Sequence, residues 1–488
     1  MNSATSSAAA GVLPEARRAG ISSVIAVIAA LMALLLLKAP LMSLGFAAIL
    51  IVAGSFLLFD PLLYLAIFLL PLAPMIELDG IPLHDWASFS RVLIFVGVMA
   101  RSVVEGDSLR EWLWKGRFAQ WMLLYFAVAI ATAAVVHPLE GGAARSLFRL
   151  ASYVLFYYAV AGWIKDAARL RKAVTALLVS TIAVCLLALL QAAQGSFGEW
   201  FERLYANQSE IIPPWTGRVS SVFLGVNFLA GYLNMVLPLA LAVQVMAKEA
   251  QLQIAARTCF FLGVITLVLT QSRGAYIALL AVLVMAFQTV LKSKTVRLRF
   301  VTAFVAAVII GSVISYALTQ DIDTGAAGPS TRERFTTVDE TTAERWLIYG
   351  AAWGMFVESP ATGIGYGNFR SRFNSFTGDA PTDLWDAHCL YLKVLAETGL
   401  PGFVCFFALI GSALVAARRS WKESSWLMER ILAVALVGGV TTVLVQGMVE
   451  SLVDLPQFGS LLWLLFALYF AGRRIGQSGP SLLGSAEI

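Results

Sequence analysis

Long apolar runs without a single charged residue recur along this chain of 488 residues. Clear examples are residues 24–37, 122–136, 173–193 and 301–318. The hydrocarbon core of a bilayer is roughly 30 Å thick, and an α-helix needs about 20 apolar residues to cross it. Because no water reaches the backbone there, a spanning segment must form its hydrogen bonds within a helix. The runs therefore predict an all-α polytopic membrane protein.

The composition agrees with this fold class, since 59% of the residues are hydrophobic and only 13% are charged. A soluble domain carries about twice that charged fraction. Residues 1–20 are polar and rich in Ala and Ser without a cleavable signal pattern, so we expect a disordered cytoplasmic tail. We predict about fourteen transmembrane helices, near residues 21–37, 41–58, 61–76, 91–104, 119–136, 147–163, 172–193, 221–247, 254–270, 274–291, 300–318, 387–416, 430–449 and 457–472.

Basic residues cluster in alternate connections between the predicted helices. Positively charged loops stay on the cytoplasmic side of a membrane, and a single orientation places every basic cluster there. Both termini are then cytoplasmic, and the long connection 319–387 lies outside, between the eleventh and twelfth helices. The clusters begin at Arg17, Arg110, Lys165, Lys248, Lys292, Arg418 and Arg473.

The connection 319–387 is too polar for the membrane and too short to be an independent domain. We predict that it forms a helical periplasmic cap packed on the membrane domain. Within it, residues 342–358 carry aromatic side chains at helical spacing, and these are Trp346, Tyr349, Trp353 and Phe356.

Arginines on the predicted outer face run against the orientation preference, so each needs a reason. Those in and near the cap have carboxylates close by in sequence, and ordinary salt bridges explain them. Arg218 and Arg273 differ, because each lies between a short loop and a long apolar helix with no nearby carboxylate in sequence. A guanidinium there must be paired or serve a ligand, and its planar fork suits phosphate. Both are candidate phosphate-binding residues.

His388 is the candidate for acid–base chemistry. It lies at the predicted start of the twelfth span, where an imidazole near water can act as a base at neutral pH. An interfacial hydrogen-bonding role is the alternative. Further along, Gly399 and Gly402 allow a kink or a close approach between helices. With 3 His and 4 Cys in the whole chain, and no paired Cys spacing, we expect no metal site.

Four short segments, namely the turn 271–275, residues 344–346, the stretch 360–369 and the stretch 388–402, are distinctive together. They resemble the O-antigen ligase/polymerase family, over roughly residues 215–405. The family's ligase signature is His, then Asn, Ser or Gln, nine arbitrary residues and Gly-x-x-Gly. His388, Gly399 and Gly402 match that spacing. Cys389 stands at the second position, which leaves both a ligase and a polymerase open.

The resemblance implies transfer of a glycan from a polyprenyl diphosphate carrier to a hydroxyl of a glycan or lipid A–core acceptor. The reaction would take place on the periplasmic side of the bacterial inner membrane. The resemblance also implies that His388 takes the acceptor proton and that Arg218 and Arg273 bind the diphosphate, without a metal or another cofactor. Arg345 or Arg334, in the cap, would add a further contact to phosphate or glycan.

With this resemblance, the chain divides into four predicted parts. They are the tail 1–20, the N-terminal transmembrane helices 21–214, a ligase-like catalytic region 215–405 that includes the loop 319–387, and the C-terminal helices and short cytoplasmic tail 406–488.

A transporter of an anion or a lipid-linked sugar is the competing interpretation. It predicts repeated halves and ionisable residues at mid-membrane depth. The predicted spans are nearly free of charge, and Glu397 is the main exception. The basic residues lie in short loops between helices, a pattern that gives no indication of nucleic-acid binding.

Overall fold

The structure, a computed structural model, describes most of the chain from residue 60 to residue 478. The predicted tail, the first two predicted spans and Arg334 lie outside the described residues. The described ranges are 60–61, 63–71, 77–78, 81–104, 116–136, 141–194, 218–223, 225–289, 294–320, 340–378 and 386–478.

Nearly all of the described residues with regular structure are helical. Two short strands, β1 (Glu77–Leu78) and β2 (Ile81–Pro82), pair antiparallel and precede the helix that begins at Leu83. A 3₁₀ turn at Leu452–Asp454 precedes the last helix. The helices are α1 (Leu83–Val104), α2 (Arg117–Val136), α3 (Gly141–Trp163), α4 (Ala167–Gln194), α5 (Val226–Met246), α6 (Ala250–Thr270), α7 (Arg273–Thr289), α8 (Lys294–Gln320), α9 (Glu340–Glu358), α10 (Phe369–Thr377), α11 (Leu390–Glu423), α12 (Leu427–Gln446) and α13 (Pro456–Gln477).

Each span predicted from residue 91 onward overlaps a helix over most of its length, and residues 63–69 of the third predicted span are helical as well. Some ends differ, because residues 221–223, 387–389 and 447–449 of the predicted spans are not helical. Within the described part of the chain, eight helices are long and apolar enough to cross a membrane, namely α2, α4, α5, α6, α8, α11, α12 and α13. The helical membrane fold is therefore confirmed in general, whereas the total of about fourteen spans stays a prediction.

Helix α5 lies in the interior of the bundle. In the apolar stretch of α5, 83% of the residues are buried inside the protein, whereas only 17% are buried in the corresponding stretch of α8. The exposed side chains of α8 include Ile309 and Val313, which suit contact with lipid tails. Helix α5 packs against α12, where a Cβ atom on Gly438 would collide with Pro238. The small residue lets the two backbones approach closely, as in other membrane helix pairs.

The proline in α5 leaves a backbone carbonyl without its helical partner, and α12 supplies the replacement. Pro238 has no N–H to bond the Asn234 carbonyl one turn earlier. That carbonyl instead accepts a hydrogen bond from Thr442 Oγ1 on α12 at 2.9 Å. Because water does not reach the interior of such a bundle, this bond gives the Asn234 carbonyl the partner that it needs.

The connection between α8 and α11 contains the two helices α9 and α10, which agrees with the prediction of helical structure there. Its position relative to a membrane stays a prediction. A small hydrophobic core joins the two helices to the first turns of α11. Its buried members are Ile348, Ala351, Ala352, Met355, Ile364, Phe369, Phe373, Ala387 and Ala396.

The aromatic stripe predicted on α9 does not form the packed face. Trp346 and Trp353 are 69% and 53% exposed. The buried face instead carries the small and aliphatic side chains of Ile348, Ala352 and Met355. Spacing alone could not choose between these faces, because both repeat every three to four residues and only packing partners decide which is covered.

Candidate active site

A buried carboxylate organises the candidate active site. Glu450 follows the end of α12, and its side chain is only 6% exposed. Its Oε2 lies 3.1 Å from His388 Nδ1. Its Oε1 accepts hydrogen bonds from Asn227 Nδ2 at 2.8 Å and from Arg345 Nη2 at 3.3 Å. A buried charge is costly unless it is paired and hydrogen-bonded, and these partners supply that pairing.

A backbone contact between two helix ends brings His388 to Glu450. The N–H of Leu390, the first residue of α11, donates to the carbonyl of Gly447 at the end of α12, at 2.8 Å. The backbone of His388 is left-handed, with a φ of 46°. Such a conformation costs a non-glycine residue of the order of 1–3 kcal/mol. Surrounding contacts must hold it, and the Tyr349 hydroxyl provides one by donating to the His388 carbonyl at 3.3 Å.

The same pairing sets the protonation of His388. The hydrogen bond to the Glu450 carboxylate raises the pKa of His388 above its usual value, while burial acts in the opposite direction. We assign the proton to Nδ1, because that nitrogen faces the carboxylate. In the neutral ring Nε2 then carries the lone pair. Nε2 is therefore the atom of His388 that can accept a proton from a substrate.

A chain of hydrogen bonds connects Glu450 to the turn between α6 and α7. Asn227, near the start of α5, binds Glu450 with its amide nitrogen and accepts a hydrogen bond from Ser272 Oγ at 2.9 Å with its amide oxygen. Gln446 Nε2 donates to the Asn227 backbone carbonyl at 3.2 Å. Both ends of the Asn227 side chain are thus engaged, so Glu450 and the turn are held in a fixed relation.

The turn itself brings together the two predicted phosphate-binding arginines, which are far apart in sequence. Gln271 ends α6 in a left-handed conformation, with φ 50° and ψ 36°, and α7 begins at Arg273. Arg218 donates from Nε to the Thr270 carbonyl at 2.9 Å and from Nη2 to the Gln271 carbonyl at 3.3 Å. It therefore satisfies carbonyls that every helix leaves open at its C-terminal end. Arg273 is exposed.

The predicted arginines of the described chain line one cavity of about 540 Å³. Arg218, Arg273 and Arg345 all contribute to its wall, and so does Glu450, through which His388 is connected to it. That volume falls within the usual range for a small-molecule site, about 300–1,000 Å³. The remaining lining residues are Asn227, Gln271, Ser272, Gly274, Ile277, Trp346, Tyr349, Gln446 and Val449.

Residues 258–407 match the family model described as O-antigen ligase. Over this segment the chain is similar to O-antigen ligases. The match confirms the family resemblance, and it supports a membrane glycan ligase or polymerase as the general class of the protein. Among the curated proteins, none matches the chain. Arg273, Arg345 and His388 lie within the matched segment, whereas Arg218 and Glu450 lie outside it.

The glycines of the signature lie where the connection after α9 attaches to α11. Gly399 has a φ of 62° and interrupts α11 with a kink. A Cβ atom there would lie 2.7 Å from the Pro360 carbonyl oxygen. The N–H of Leu400 donates to that same carbonyl at 2.9 Å, and the N–H of Ile364 donates to the Ala396 carbonyl at 2.8 Å. The signature thus fixes the segment beyond α9 on the helix that follows His388.

Sequence reasoning missed Glu450 and gave no role to Asn227. A signal for Glu450 did exist, because this carboxylate directly follows the charge-free residues 431–449 on the predicted outer face. The argument applied to Arg218 and Arg273 would have selected it. No comparable signal marks Asn227, since an amide at a helix start is common and its two bonds depend on residues far away in sequence.

Glu397, the residue that most favoured a transporter, takes part in packing within the matched segment. It is buried in the first part of α11, and its Oε1 accepts a hydrogen bond from the N–H of Phe369 at the start of α10, at 3.2 Å. This carboxylate therefore helps to join α10 to α11, which accounts for its presence in an apolar helix.

Proposed function

We propose that this protein transfers a glycan from a polyprenyl diphosphate carrier to a hydroxyl of an acceptor sugar. It would act as an O-antigen ligase or a surface-polysaccharide polymerase, at the periplasmic face of the bacterial inner membrane. The observation that carries the proposal is the position of Glu450, which belongs both to the pair with His388 and to the arginine-lined cavity.

In this proposal His388 is the general base for the acceptor. The acceptor oxygen attacks the anomeric carbon of the donor while the bond from that carbon to the diphosphate oxygen breaks. The hydroxyl proton moves to His388 Nε2, and the diphosphate leaves with the electron pair. In-line attack inverts the anomeric centre. A positioned general base contributes about 10²–10⁴ to a rate.

Glu450 acts through His388 as a positioning residue. Its contact with Nδ1 keeps the ring in the tautomer that exposes the Nε2 lone pair, and its charge stabilises the imidazolium formed by proton transfer. This division of roles follows the logic of histidine–carboxylate pairs in hydrolases.

The arginines would bind the diphosphate and stabilise it as it leaves. Arg273 is the first residue of α7, so its guanidinium lies near the positive end of the helix dipole and near free backbone N–H groups. Arg218 is held in place by its bonds to the carbonyls of α6. Removing one preorganised donor of this kind costs on the order of 10²–10³ in rate.

An apolar groove next to the cavity suits the lipid part of the donor. It has a volume of about 540 Å³ and lies among α6, α7 and α8. Gln271 belongs to both the groove and the arginine-lined cavity. A carrier with its diphosphate among the arginines would therefore find a continuous apolar surface for its chain. This supports a lipid-linked donor over a soluble one.

Glycan profiling of a deletion strain tests the proposal. The strain is complemented with the wild type, Arg273→Ala, His388→Ala or the control Arg299→Ala, whose side chain is exposed on α8 outside the cavity. We expect the first two variants to reach the membrane at normal levels and to fail in restoring the polysaccharide, while the control restores it. Loss of only the long polysaccharide chains would indicate a polymerase, whereas loss of all O-antigen on lipid A would indicate a ligase. Normal polysaccharide with both variants would refute the catalytic assignment.

A further inference from the structure

A second cavity lies beside the candidate active site, with a volume of about 290 Å³. Its walls come from α2, α3, α11 and α13, from α10 and the segment before it, and from the 3₁₀ turn, and it shares no lining residue with the arginine-lined cavity. Two of its lining residues are close in sequence to the catalytic pair. Leu390 follows His388 by two positions, and Val453 follows Glu450 by three. The second cavity is therefore lined in part by the chain segments that carry the pair.

The second cavity has an excess of positive charge. One acidic and four basic side chains line it. Lys393 is already bonded to Asp386, with its Nζ at 2.6 Å from Oδ1. The other three basic side chains of the lining are arginines of α3 and α10, namely Arg145, Arg149 and Arg370. Guanidinium groups gathered in this way suit the planar, bidentate recognition of phosphate or carboxylate.

Aromatic side chains form much of the remaining wall. Tyrosine and tryptophan combine an apolar ring with a hydrogen-bonding group, which matches a sugar ring with its C–H faces and hydroxyls. The combination of arginines with such rings favours a phosphorylated saccharide over a purely apolar ligand. The tyrosine and tryptophan residues in this wall are Tyr125, Tyr153, Tyr366 and Trp463.

We propose that the second cavity binds the phosphorylated saccharide head of the acceptor substrate. This inference rests on the proposed function, in which His388 receives the proton of an acceptor hydroxyl. The anion could come from the diphosphate of a second lipid carrier or from a phosphate on an acceptor sugar. Both supply the chemistry that the arginines recognise. The donor and the acceptor would then occupy different cavities, each with its own arginines.

A binding experiment with the full chain in lipid nanodiscs tests the cavity without any need for catalysis. Inorganic diphosphate and glucose 1-phosphate serve as probes, with glucose as the uncharged control. We expect two equivalents of a phosphate probe to bind the wild type, and one to bind Arg145→Gln/Arg370→Gln. One should also bind the donor-site variant Arg273→Gln/Arg345→Gln. The matched control Arg299→Gln/Arg418→Gln removes two exposed charges outside both cavities and should still bind two.

The same titration separates the two sources of the anion. In the donor-site variant, a preference for diphosphate indicates a second lipid carrier, and a preference for glucose 1-phosphate indicates a phosphorylated acceptor sugar. Two equivalents bound by Arg145→Gln/Arg370→Gln would overturn the proposal. Glucose binding as tightly as glucose 1-phosphate, or no binding of either anion to the wild type, would do so too.

Kinetics of glycan transfer distinguish a failure of this inference from a failure of the proposed function. For Arg145→Gln/Arg370→Gln we expect the KM for the acceptor to rise about tenfold while the KM for the donor stays unchanged. An unchanged acceptor KM together with an inactive His388→Ala would refute the acceptor cavity alone. Full activity of His388→Ala would refute the proposed catalytic role, whereas the binding stoichiometry would still report on the cavity.

Discussion

At the scale of single residues, the proposed chemistry depends on how Glu450 divides its two oxygens. Among the described residues, Oε2 contacts His388, while Oε1 is shared between Asn227 and Arg345. The contact with Arg345 is the longer of the two on Oε1, and that side chain is 34% exposed. When Arg345 moves away, Asn227 and His388 still bond the buried carboxylate. Arg345 can therefore turn toward a bound anion while Asn227 keeps the carboxylate in place.

Replacing Glu450 by Gln keeps the size of the side chain and removes its charge. His388 must be neutral to act as a base, so the wild-type kcat/KM rises with pH through the raised pKa of His388. In Glu450→Gln the pKa of His388 falls, and the rise moves to lower pH. We also expect the plateau rate to fall on the order of 10², because the imidazolium loses its counter-charge. A pH–rate profile of glycan transfer measures both effects.

The matched control for this profile is Glu423→Gln, an exposed carboxylate at the end of α11. It should leave both the plateau and the midpoint in place. If Glu450→Gln lowered the rate without moving the midpoint, Glu450 would have a structural role and the proposed pairing with the base would be wrong.

At the scale of elements, α11 consists of two helical parts that contact different regions of the protein. Its first part, up to the kink at Gly399, starts beside His388 and packs on α9 and α10. The second part extends into the bundle. Pro401 lacks the N–H that would continue the first part, and Leu400 bonds Pro360 instead. Because of the kink, one continuous segment contributes residues both to the candidate active site and to the membrane domain.

We predict that Gly399→Ala destabilises the protein by about 1–3 kcal/mol, because alanine at positive φ is strained and its Cβ would approach the Pro360 carbonyl to 2.7 Å. Thermal unfolding in nanodiscs measures the loss, and limited proteolysis between α9 and α10 should become faster. Gly411→Ala is the control on the same helix, since nothing lies within 4 Å of its Cβ position. Equal effects of the two substitutions would show that the kink does not depend on glycine.

At the scale of the whole molecule, the spans were predictable and the pairing of their ends was not. Apolar length alone determines a membrane helix, so helices α1 to α8 and α11 to α13 agree with the predicted spans. The contact between His388 and Glu450 joins residues 62 positions apart, and no local pattern encodes it. Arg218, Arg273 and His388 were selected because charge is rare in such a chain. The buried face of α9 was missed because its two faces have the same period.

The proposed orientation makes a prediction for the intact cell. Ser375→Cys, on the exposed surface of α10, should react with a membrane-impermeant maleimide added from the periplasmic side. Lys422→Cys, near the end of α11, should react only after the inner membrane is opened. The native cysteines are buried and provide a low background. The reverse labelling pattern would place the arginine-lined cavity on the cytoplasmic side and contradict the proposed periplasmic site.

The residues of the proposed active site lie at the ends of helices and not in their middle parts. Arg273 opens α7, Asn227 is the second residue of α5, His388 stands just before α11, and Glu450 just after α12. The middle parts of these helices must stay apolar and keep their length, but the identity of each apolar side chain there can change. Mutations can therefore accumulate between the ends without touching the chemistry. Over evolutionary time, homologues of such a protein should keep a few short motifs at the membrane boundary while the sequence between them drifts.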